Sequence, residues 1–266
     1  MTKPYIAASS YLNAAPLCYS FIRGEQAEAC TFLSDAAPAR CSQLLAEERA
    51  DAALIPVIEY QRIQNLKVAP GACVGSRRTV RSVVLASRVP IGEVGSVALD
   101  TSSRTSAALI QIILGKFHSL DPTYCSSPPD LARMLESSDA ALMIGDPAML
   151  IDRSSLHVYD LAEEWLKHTG LPFVFAFWAI RANSEWQAGG VDFVRARIEG
   201  LAHVGEIAEM YSASLGLPRE GLLSSLTENI SYTLDDECLR GLSLYYELAK
   251  ERGLIDQVRQ LEFWGS

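Results

Sequence analysis

VGSVALDTSSRTSAALIQIILG, from Val94 to Gly115, is the stretch of sequence that decides the fold. Its first part, VGSVALD, alternates like a β-strand, and its last part repeats apolar residues at helical spacing. Between them lies a hydroxyl-rich turn in which Ser102, Ser103 or Thr105 would suit the helix N-cap. The stretch therefore predicts a strand, a turn and a helix whose first N–H groups have no partner within the helix.

This turn also predicts an anion site. Unpaired N–H groups and the partial positive charge of a helix N-terminus attract carboxylates and phosphates. Arg104 adds a guanidinium that can bind an oxyanion through two hydrogen bonds. A well-capped helix without any ligand has the same pattern, and an arginine in a turn often faces solvent, so both interpretations stay open at this point. The residues assigned to carboxylate binding are Thr101, Ser102, Ser103, Arg104, Thr105 and Ser106.

Composition limits the class of protein. The 266 residues, 49% of them hydrophobic and 21% charged, predict a globular chain that forms one large domain or two lobes. The net charge of −9 argues against binding to nucleic acid or to an anionic membrane surface. No apolar run is long enough to span a membrane and the start lacks the pattern of a secretory signal, so we expect a cytoplasmic protein.

The metal-binding residue types give no pattern in the sequence. The six cysteines and four histidines are scattered, without a CxxC pair or another spacing typical of metal ligands. We therefore expect reduced thiols and no metal site.

Strands and helices alternate along the chain. The start predicts a strand at Tyr5–Ser9, a polar turn and a helix with Pro16 in its first position. Such alternation predicts an α/β fold with open, mixed and mostly parallel sheets. Further strands are predicted at 30–33, 51–57, 139–146 and 158–161, further helices at 38–49, 59–63, 129–136 and 162–168, and a helical C-terminal segment at 192–214, 218–226 and 235–252.

An internal repeat suggests two lobes built on one plan. DAALIP at 51–56 and DAALMIGD at 139–146 each follow a predicted helix. Arg81–Ser87 and Phe173–Arg181 are expected to cross between the lobes, which places residues 1–88 plus 178–266 in lobe I and 89–177 in lobe II. Ligands of open α/β sheets lie beyond the carboxyl ends of strands. Asn13, Pro56, the turn at 101–105, Gly145 and Asp146 are all predicted at such ends.

Seven motifs together resemble the chorismate dehydratase family, which catalyses the first step of the futalosine route to menaquinone. The resemblance covers residues 4 to 182. A sister family of that route, acting on cyclic dehypoxanthine futalosine, opens with a different motif, and the YLN at 11–13 favours the dehydratase. The motifs are SYLNAAPL at 10–17, ALIPVIEY at 53–60, RSVVLAS at 81–87, DTSSRTSAAL at 100–109, CSSPPDL at 125–131, IGDPAM at 144–149 and WLKHTGLPFVFAFWAIR at 165–181.

The resemblance implies a type II periplasmic-binding-protein fold, with two lobes joined by two strands and the ligand in the cleft. It also implies that chorismate loses water to give 3-[(1-carboxyvinyl)oxy]benzoate without metal or organic cofactor. It places Asn13 and Ser82 in the cleft, where we assign them catalytic roles. Their alternatives are a turn former for Asn13 and an ordinary strand hydroxyl for Ser82.

The remaining candidates for substrate binding are residues expected in the cleft walls and at strand ends. Tyr11 and Trp178 are assigned to the walls of the cleft, although most aromatic residues near them suit a core strand equally well. Gly145 and Asp146 are assigned to substrate binding, although an aspartate followed by Pro147 is also typical of a helix start.

The sequence offers no clear catalytic base. Glu59, at a strand end, suits the first turn of a helix. We therefore consider that the enolpyruvyl carboxylate of chorismate itself removes the ring proton. Chorismate is the expected partner, and the oligomeric state stays open between monomer and homodimer. The rival functions are an anion-specific solute-binding protein or a sensor of the same fold, neither of which consumes its ligand.

Overall fold

The computed structural model describes residues 3–184 and 191–265. Within these ranges ten strands form two five-stranded sheets, with helices packed around them. The strands are β1 (Tyr5–Ser9), β2 (Thr31–Asp35), β3 (Ala52–Pro56), β4 (Leu66–Ser76), β5 (Val83–Ser87), β6 (Ser96–Asp100), β7 (Thr123–Ser127), β8 (Ala140–Ile144), β9 (His157–Asp160) and β10 (Phe173–Arg181).

Eleven α-helices are found in the described ranges, and most of them follow a strand. They are α1 (Ala15–Ile22), α2 (Pro38–Ala46), α3 (Val57–Arg62), α4 (Arg104–Ile112), α5 (Leu131–Ser137), α6 (Gly145–Met149), α7 (Leu161–Thr169), α8 (Phe193–Ala202), α9 (Val204–Leu215), α10 (Arg219–Ser224) and α11 (Asp236–Glu251). None of them combines the length and the apolar character that a membrane-spanning helix requires.

The two sheets have the same plan. The strand order is β2-β1-β3-β10-β4 in the first sheet and β7-β6-β8-β5-β9 in the second. In each sheet the first three strands are parallel, and the fourth runs antiparallel to both of its neighbours. The two strands that begin with the repeated DAAL phrase, β3 and β8, occupy the same central place and are buried at every position. The sequence repeat therefore corresponds to a repeat of structure.

The chain changes sheet just before each of the two strands that were expected to cross. β4 ends at Ser76 in the first sheet and β5 begins at Val83 in the second, and α7 ends at Thr169 before β10 begins at Phe173. Both β5 and β10 are hydrogen-bonded to sheet neighbours along their length. By sheet membership we propose lobe limits within 77–82 and 170–172, in place of 88 and 178.

Most predicted elements are found, and the longest strand was not predicted. The strand at Tyr5–Ser9, the helix with Pro16 in its first turn and the end of α7 at Gly170 are confirmed. β4 escaped prediction because Pro70 and Gly71 interrupt its alternation. Its pairing with β10 shifts register twice, as expected for a strand that contains bulges.

The C-terminal helices pack mainly on the first sheet. The predicted helix at 192–214 is two helices, α8 and α9, separated at His203. The apolar residues that repeat at helical spacing in 192–214 are only partly buried, since Ile207 is buried whereas Ile198 is 59% exposed. α11 contacts both β10 and α4, so this segment also supports the helix that begins at the hydroxyl-rich turn.

Candidate functional site

A pocket lies between the two sheets, at the ends of strands from both. It encloses about 510 Å³ of space not filled by atoms, part of it open to solvent. Among the residues that line it, none has a charged or imidazole side chain. The lining residues are Ser9, Tyr11, Asn13, Ala14, Pro38, Leu54, Pro56, Val74, Val83, Ser103, Thr105, Ser106, Ile144, Gly145, Phe175 and Ala176.

The N-terminus of α4 forms one wall of this pocket. Ser103 is the N-cap residue, with extended backbone dihedrals, but its side chain caps no helix N–H group. The first-turn N–H groups have no acceptor within the helix. Ser103 and Ser106 are 6% and 3% exposed, and neither hydroxyl bonds to another described residue. These donors are therefore available to a ligand in the pocket.

Asp100, at the end of β6, shapes the turn that precedes α4. Its Oδ1 accepts hydrogen bonds from the backbone N of Ser102 at 2.8 Å and from the Ser102 hydroxyl at 2.6 Å. Burial raises the pKa of the Asp100 carboxyl, and the bonds from Ser102 oppose this shift. Ser102 thus builds the turn and does not line the pocket. Sequence reasoning missed Asp100, although a short polar side chain at a strand end is a recognised turn signal.

Four hydrogen bonds connect the two halves of the molecule around the pocket. The Leu12 N–H donates to Asp146 Oδ1 at 3.0 Å, and the Ala39 N–H donates to the carbonyl of Ser102 at 3.3 Å. Thr105 makes the other two: its Oγ1 accepts from the Ile58 N–H at 3.4 Å, and its carbonyl accepts from the Tyr245 hydroxyl at 3.0 Å. These bonds hold the two halves of the molecule against each other around the pocket.

Asp146 takes part in these contacts between the halves and does not line the pocket. Burial raises the pKa of its carboxyl to about 6, and the hydrogen bond from the Leu12 N–H opposes the shift. The carboxyl therefore changes charge close to neutral pH while it holds the turn at Leu12.

Tyr11 and Gly145 meet across the pocket. Gly145 has a φ of +66°, and a Cβ atom added to it would lie 2.6 Å from Cε2 of the Tyr11 ring. Burial raises the pKa of the Tyr11 phenol. Only glycine satisfies both the backbone conformation and the close approach of the ring. The two residues form a continuous wall.

Asn13 and Ser82 both have side-chain polar groups that bond to no other described residue. Asn13 lines the pocket, and its amide bonds to no other described residue. The Oγ of Ser82 is buried and has no hydrogen-bond partner among the described residues. Ser82 does not itself line the pocket, but its carbonyl accepts from the N–H of Gly145 at 2.7 Å, and the next residue, Val83, lines it.

Thr101 and Arg104, both assigned to carboxylate binding, do not line the pocket. Thr101 is exposed, and its N–H donates to the carbonyl of Ser127. The Arg104 guanidinium lies 3.5 Å from a carboxylate oxygen of Glu59, and the Arg104 side chain is 48% exposed. It therefore forms an ion pair at the rim, and Glu59 is engaged there and with Arg62.

The assignment of Trp178 to the cleft wall is wrong in this structure. Its side chain is fully buried, with ring centroids 5.7 Å from Phe21 and 4.9 Å from Phe193. It packs beneath α1 and α8. Phe175, three residues closer to the start of β10, lines the pocket instead. Alternation along a strand buried on both faces does not tell which aromatic residue reaches a pocket.

The apolar walls were otherwise missed by sequence reasoning. Leu54, Val74, Val83 and Ile144 line the pocket from strands whose composition is that of ordinary core. No signal in the sequence separates them from buried neighbours. A second cavity of about 570 Å³ shares Ser9 with the pocket and lies mainly along α1 and α9.

Three groups that could ligate a metal meet at a distance from the pocket. His118, Glu164 and His168 place their ligand atoms within 4.8 Å of one another. His118 and His168, which are far apart in the sequence, meet in the structure with their ring centroids 5.4 Å apart. The spacing of Glu164 and His168 on one helical face was visible in the sequence, whereas the approach of His118 depends on tertiary structure.

Comparison with known proteins identifies the family. A family model described as menaquinone biosynthesis matches residues 4–251. A chorismate dehydratase from Thermus thermophilus is 31% identical over 265 residues, which cover 92% of this chain and 95% of that protein.

Solved structures show the same fold. A protein from Archaeoglobus fulgidus has a TM-score of 0.77 at 20% identity, covering 95% of this chain and 98% of its own. The periplasmic aliphatic sulphonate binding protein of Escherichia coli has a TM-score of 0.67 at 15% identity, covering 100% of this chain and 94% of its own. The two-lobed periplasmic-binding-protein-like fold is thereby confirmed. With the family model matching nearly the whole sequence, this chain belongs to the menaquinone biosynthesis family.

Proposed function

We propose that this chain is a chorismate dehydratase, which converts chorismate to 3-[(1-carboxyvinyl)oxy]benzoate and water. The observation that carries the proposal is the uncharged pocket between the lobes, with the free N-terminus of α4 on one wall. The name of the Thermus thermophilus relative supports the same reaction. The predicted cytoplasmic location and the oligomeric state stay predictions.

To catalyse this reaction, the protein must stabilise the negative charge that develops on the ring. A ring C–H bond breaks, its electron pair forms a new π-bond of the ring, and the ring C–O bond to the hydroxyl breaks. The departing hydroxide takes a proton and leaves as water. As the ring proton leaves, charge spreads through the diene onto the ring carboxylate. The first-turn amides of α4 and the hydroxyls of Ser103 and Ser106 are suited to that carboxylate, because oriented donors in a dry site stabilise developing charge strongly.

Asn13 and Ser82 supply the remaining polar contacts in this proposal. The Asn13 amide donates to the departing hydroxyl or holds the enolpyruvyl carboxylate. The Ser82 hydroxyl is buried beside the pocket-lining Val83 and bonds to no other described residue, so it would reach the substrate after a shift of its side chain toward the pocket. Tyr11, Gly145 and Phe175 exclude water around the ring.

The enolpyruvyl carboxylate of the substrate is the proposed base. The pocket lining supports this, since it contains no carboxylate and no imidazole among the described residues. Holding the two reacting groups of one molecule in contact lowers the barrier by about 7 kcal/mol or more. The Glu59→Gln variant is expected to retain turnover within tenfold of wild type. A folded variant that binds chorismate but performs no chemistry would disprove this role for the substrate.

A solute-binding function is the second candidate, because the sulphonate-binding protein has the same fold. One experiment separates the candidates. Purified protein is incubated with chorismate, and the product is followed by mass spectrometry and aromatic absorbance, with calorimetric binding in parallel. Loss of one water with multiple turnovers supports the dehydratase. Saturable binding of chorismate without product would favour the solute-binding or sensor function, and no interaction at all would favour the sister enzyme acting on cyclic dehypoxanthine futalosine.

A further inference from the structure

We propose that His118, Glu164 and His168 form a binding site for Zn²⁺ or a chemically similar divalent transition-metal ion. Glu164 and His168 are four residues apart on α7, and His118 directly follows the π-helical segment Ile113–Phe117. This inference is independent of the proposed function, because none of the three residues lines the pocket.

The distances between the ligand atoms fit a metal ion. Nε2 of His118 lies 3.3 Å from Oε2 of Glu164, and Nε2 of His168 lies 3.7 Å from the same oxygen. In a tetrahedral zinc site with bonds of about 2.0–2.1 Å, neighbouring ligand atoms are about 3.3 Å apart. The third separation, between the two histidines, stays within 4.8 Å. Small side-chain rotations are therefore enough to centre an ion among the three atoms.

The chemistry of the donors selects the class of ion. Two imidazole nitrogens and one carboxylate oxygen suit Zn²⁺, Co²⁺ or Ni²⁺, whereas Ca²⁺ and Mg²⁺ prefer oxygen ligands. The side chains of His118, Glu164 and His168 are 17%, 12% and 24% exposed. This partial burial holds the ligands in place and leaves a route for the ion and for a water molecule in the fourth position.

Neighbouring residues hold the histidine rings. The ring of Phe117 stacks on His168 with a centroid distance of 4.6 Å and an interplanar angle of 11°. Lys167 competes with the ion, since its Nζ lies 3.7 Å from Oε1 of Glu164. However, the Lys167 side chain is 63% exposed and can move into solvent when a cation binds.

The location suggests what the ion would do. The π-helical segment Ile113–Phe117 continues α4, and α7 packs against it and against β5 and β9. An ion bound to His118 and α7 would therefore cross-link the far end of α4 to the neighbouring helix. We expect it to stabilise the second lobe and to leave the pocket chemistry unchanged.

Zinc titration of the untagged, chelator-treated full-length protein tests the site. We expect one Zn²⁺ per chain by calorimetry, a higher Tm with Zn²⁺ present, and affinity lowered at least tenfold by His118→Ala or His168→Ala. His157→Ala, which removes an exposed histidine elsewhere, is the matched control and should bind like wild type. Cys125→Ser is a second control, because Cys125 is an exposed thiol that could bind zinc by itself.

Cobalt provides a readout that does not depend on the variants folding. Co²⁺ bound to wild-type protein should show the visible absorption of a four-coordinate nitrogen and oxygen site, and Zn²⁺ should displace it. The proposal is overturned if wild type shows no saturable Zn²⁺ binding, or if folded His118→Ala and His168→Ala bind with wild-type affinity. Loss of binding in Cys125→Ser alone would also overturn it.

Discussion

Gly145 is the residue at which backbone conformation and pocket shape meet. Gly145→Ala must both adopt a φ of +66° and place a Cβ atom 2.6 Å from the Tyr11 ring, so the ring has to move. We expect kcat/KM for chorismate to fall about a hundredfold, because small displacements of positioning groups have effects of this size. Gly170→Ala is the matched control, since Gly170 has a φ of +70° and nothing within 4 Å of the added Cβ. Equal activity in both variants would argue against Tyr11 and Gly145 as a pocket wall.

Replacing Ser82 distinguishes a catalytic role of its hydroxyl from a structural role. Its buried Oγ has no hydrogen-bond partner among the described residues, so Ser82→Ala removes an unsatisfied group and should leave Tm unchanged or higher. Turnover should nevertheless fall at least tenfold, as it should in Asn13→Ala, where a pocket amide is lost. Steady-state kinetics and thermal melts of the two variants check this. If Ser82→Ala keeps the wild-type rate, the Ser82 hydroxyl has no catalytic role and is an ordinary strand hydroxyl.

Among the elements, α4 has the central part, because its first turn faces the pocket without a side-chain cap. Removing both hydroxyls in Ser103→Ala/Ser106→Ala should lower kcat about a hundredfold, a typical effect of losing oxyanion donors. Ser214→Ala, an exposed serine of α9, is the control and should keep the wild-type rate. If the double variant keeps both kcat and KM, the α4 N-terminus is only a helix start.

The sequence was informative about this element and less so about its neighbours. The alternation before Asp100 and the helical repeat after Ser106 predicted β6 and α4 with their turn. Because β10 is buried on both faces, its sequence does not show that Phe175 lines the pocket and that Trp178 lies in the core. β4 could not be predicted because Pro70 interrupts its pattern, and the register shifts in its pairing with β10 that accommodate Pro70 depend on tertiary structure. Local patterns thus predict elements, whereas the face that an element turns to a cavity depends on tertiary packing.

In the whole molecule, the hydrogen bond from the Leu12 N–H to Asp146 holds the lobes together. Burial raises the pKa of Asp146 from 3.8 to about 6, so between these values the folded protein holds a proton that the unfolded chain has released. Binding this proton stabilises the folded state. The contribution to the free energy of unfolding is complete below pH 3.8 and is lost as pH rises through 6. Asp146→Asn keeps an acceptor for Leu12 without the charge. Its Tm relative to wild type should therefore increase by a few degrees from pH 4 to pH 7.

Thermal melts of both proteins across this range provide the test, and the titration of all other groups cancels in the difference. A difference in Tm that is constant with pH would show that folding does not shift the pKa of Asp146, and one that decreases as pH rises would show that folding lowers it; either result contradicts the account.

The plan of the whole molecule was partly readable in the sequence. The repeated DAAL phrases mark β3 and β8, which hold the same place in the two sheets. The points at which the chain changes sheet lie in 77–82 and 170–172, where strand patterns give no indication of which sheet the next strand joins. The contacts of Asp146 and His118 with residues distant in sequence were equally beyond local reasoning.

The central claim is that the pocket between the lobes holds the substrate with a carboxylate at the start of α4. A crystal structure of the product complex measures this directly. We predict a ring carboxylate oxygen within about 2.7–3.2 Å of a first-turn amide of α4 or of the Ser103 or Ser106 hydroxyl. Product bound in the second cavity along α1 and α9, or with its carboxylate turned away from α4, would contradict the account.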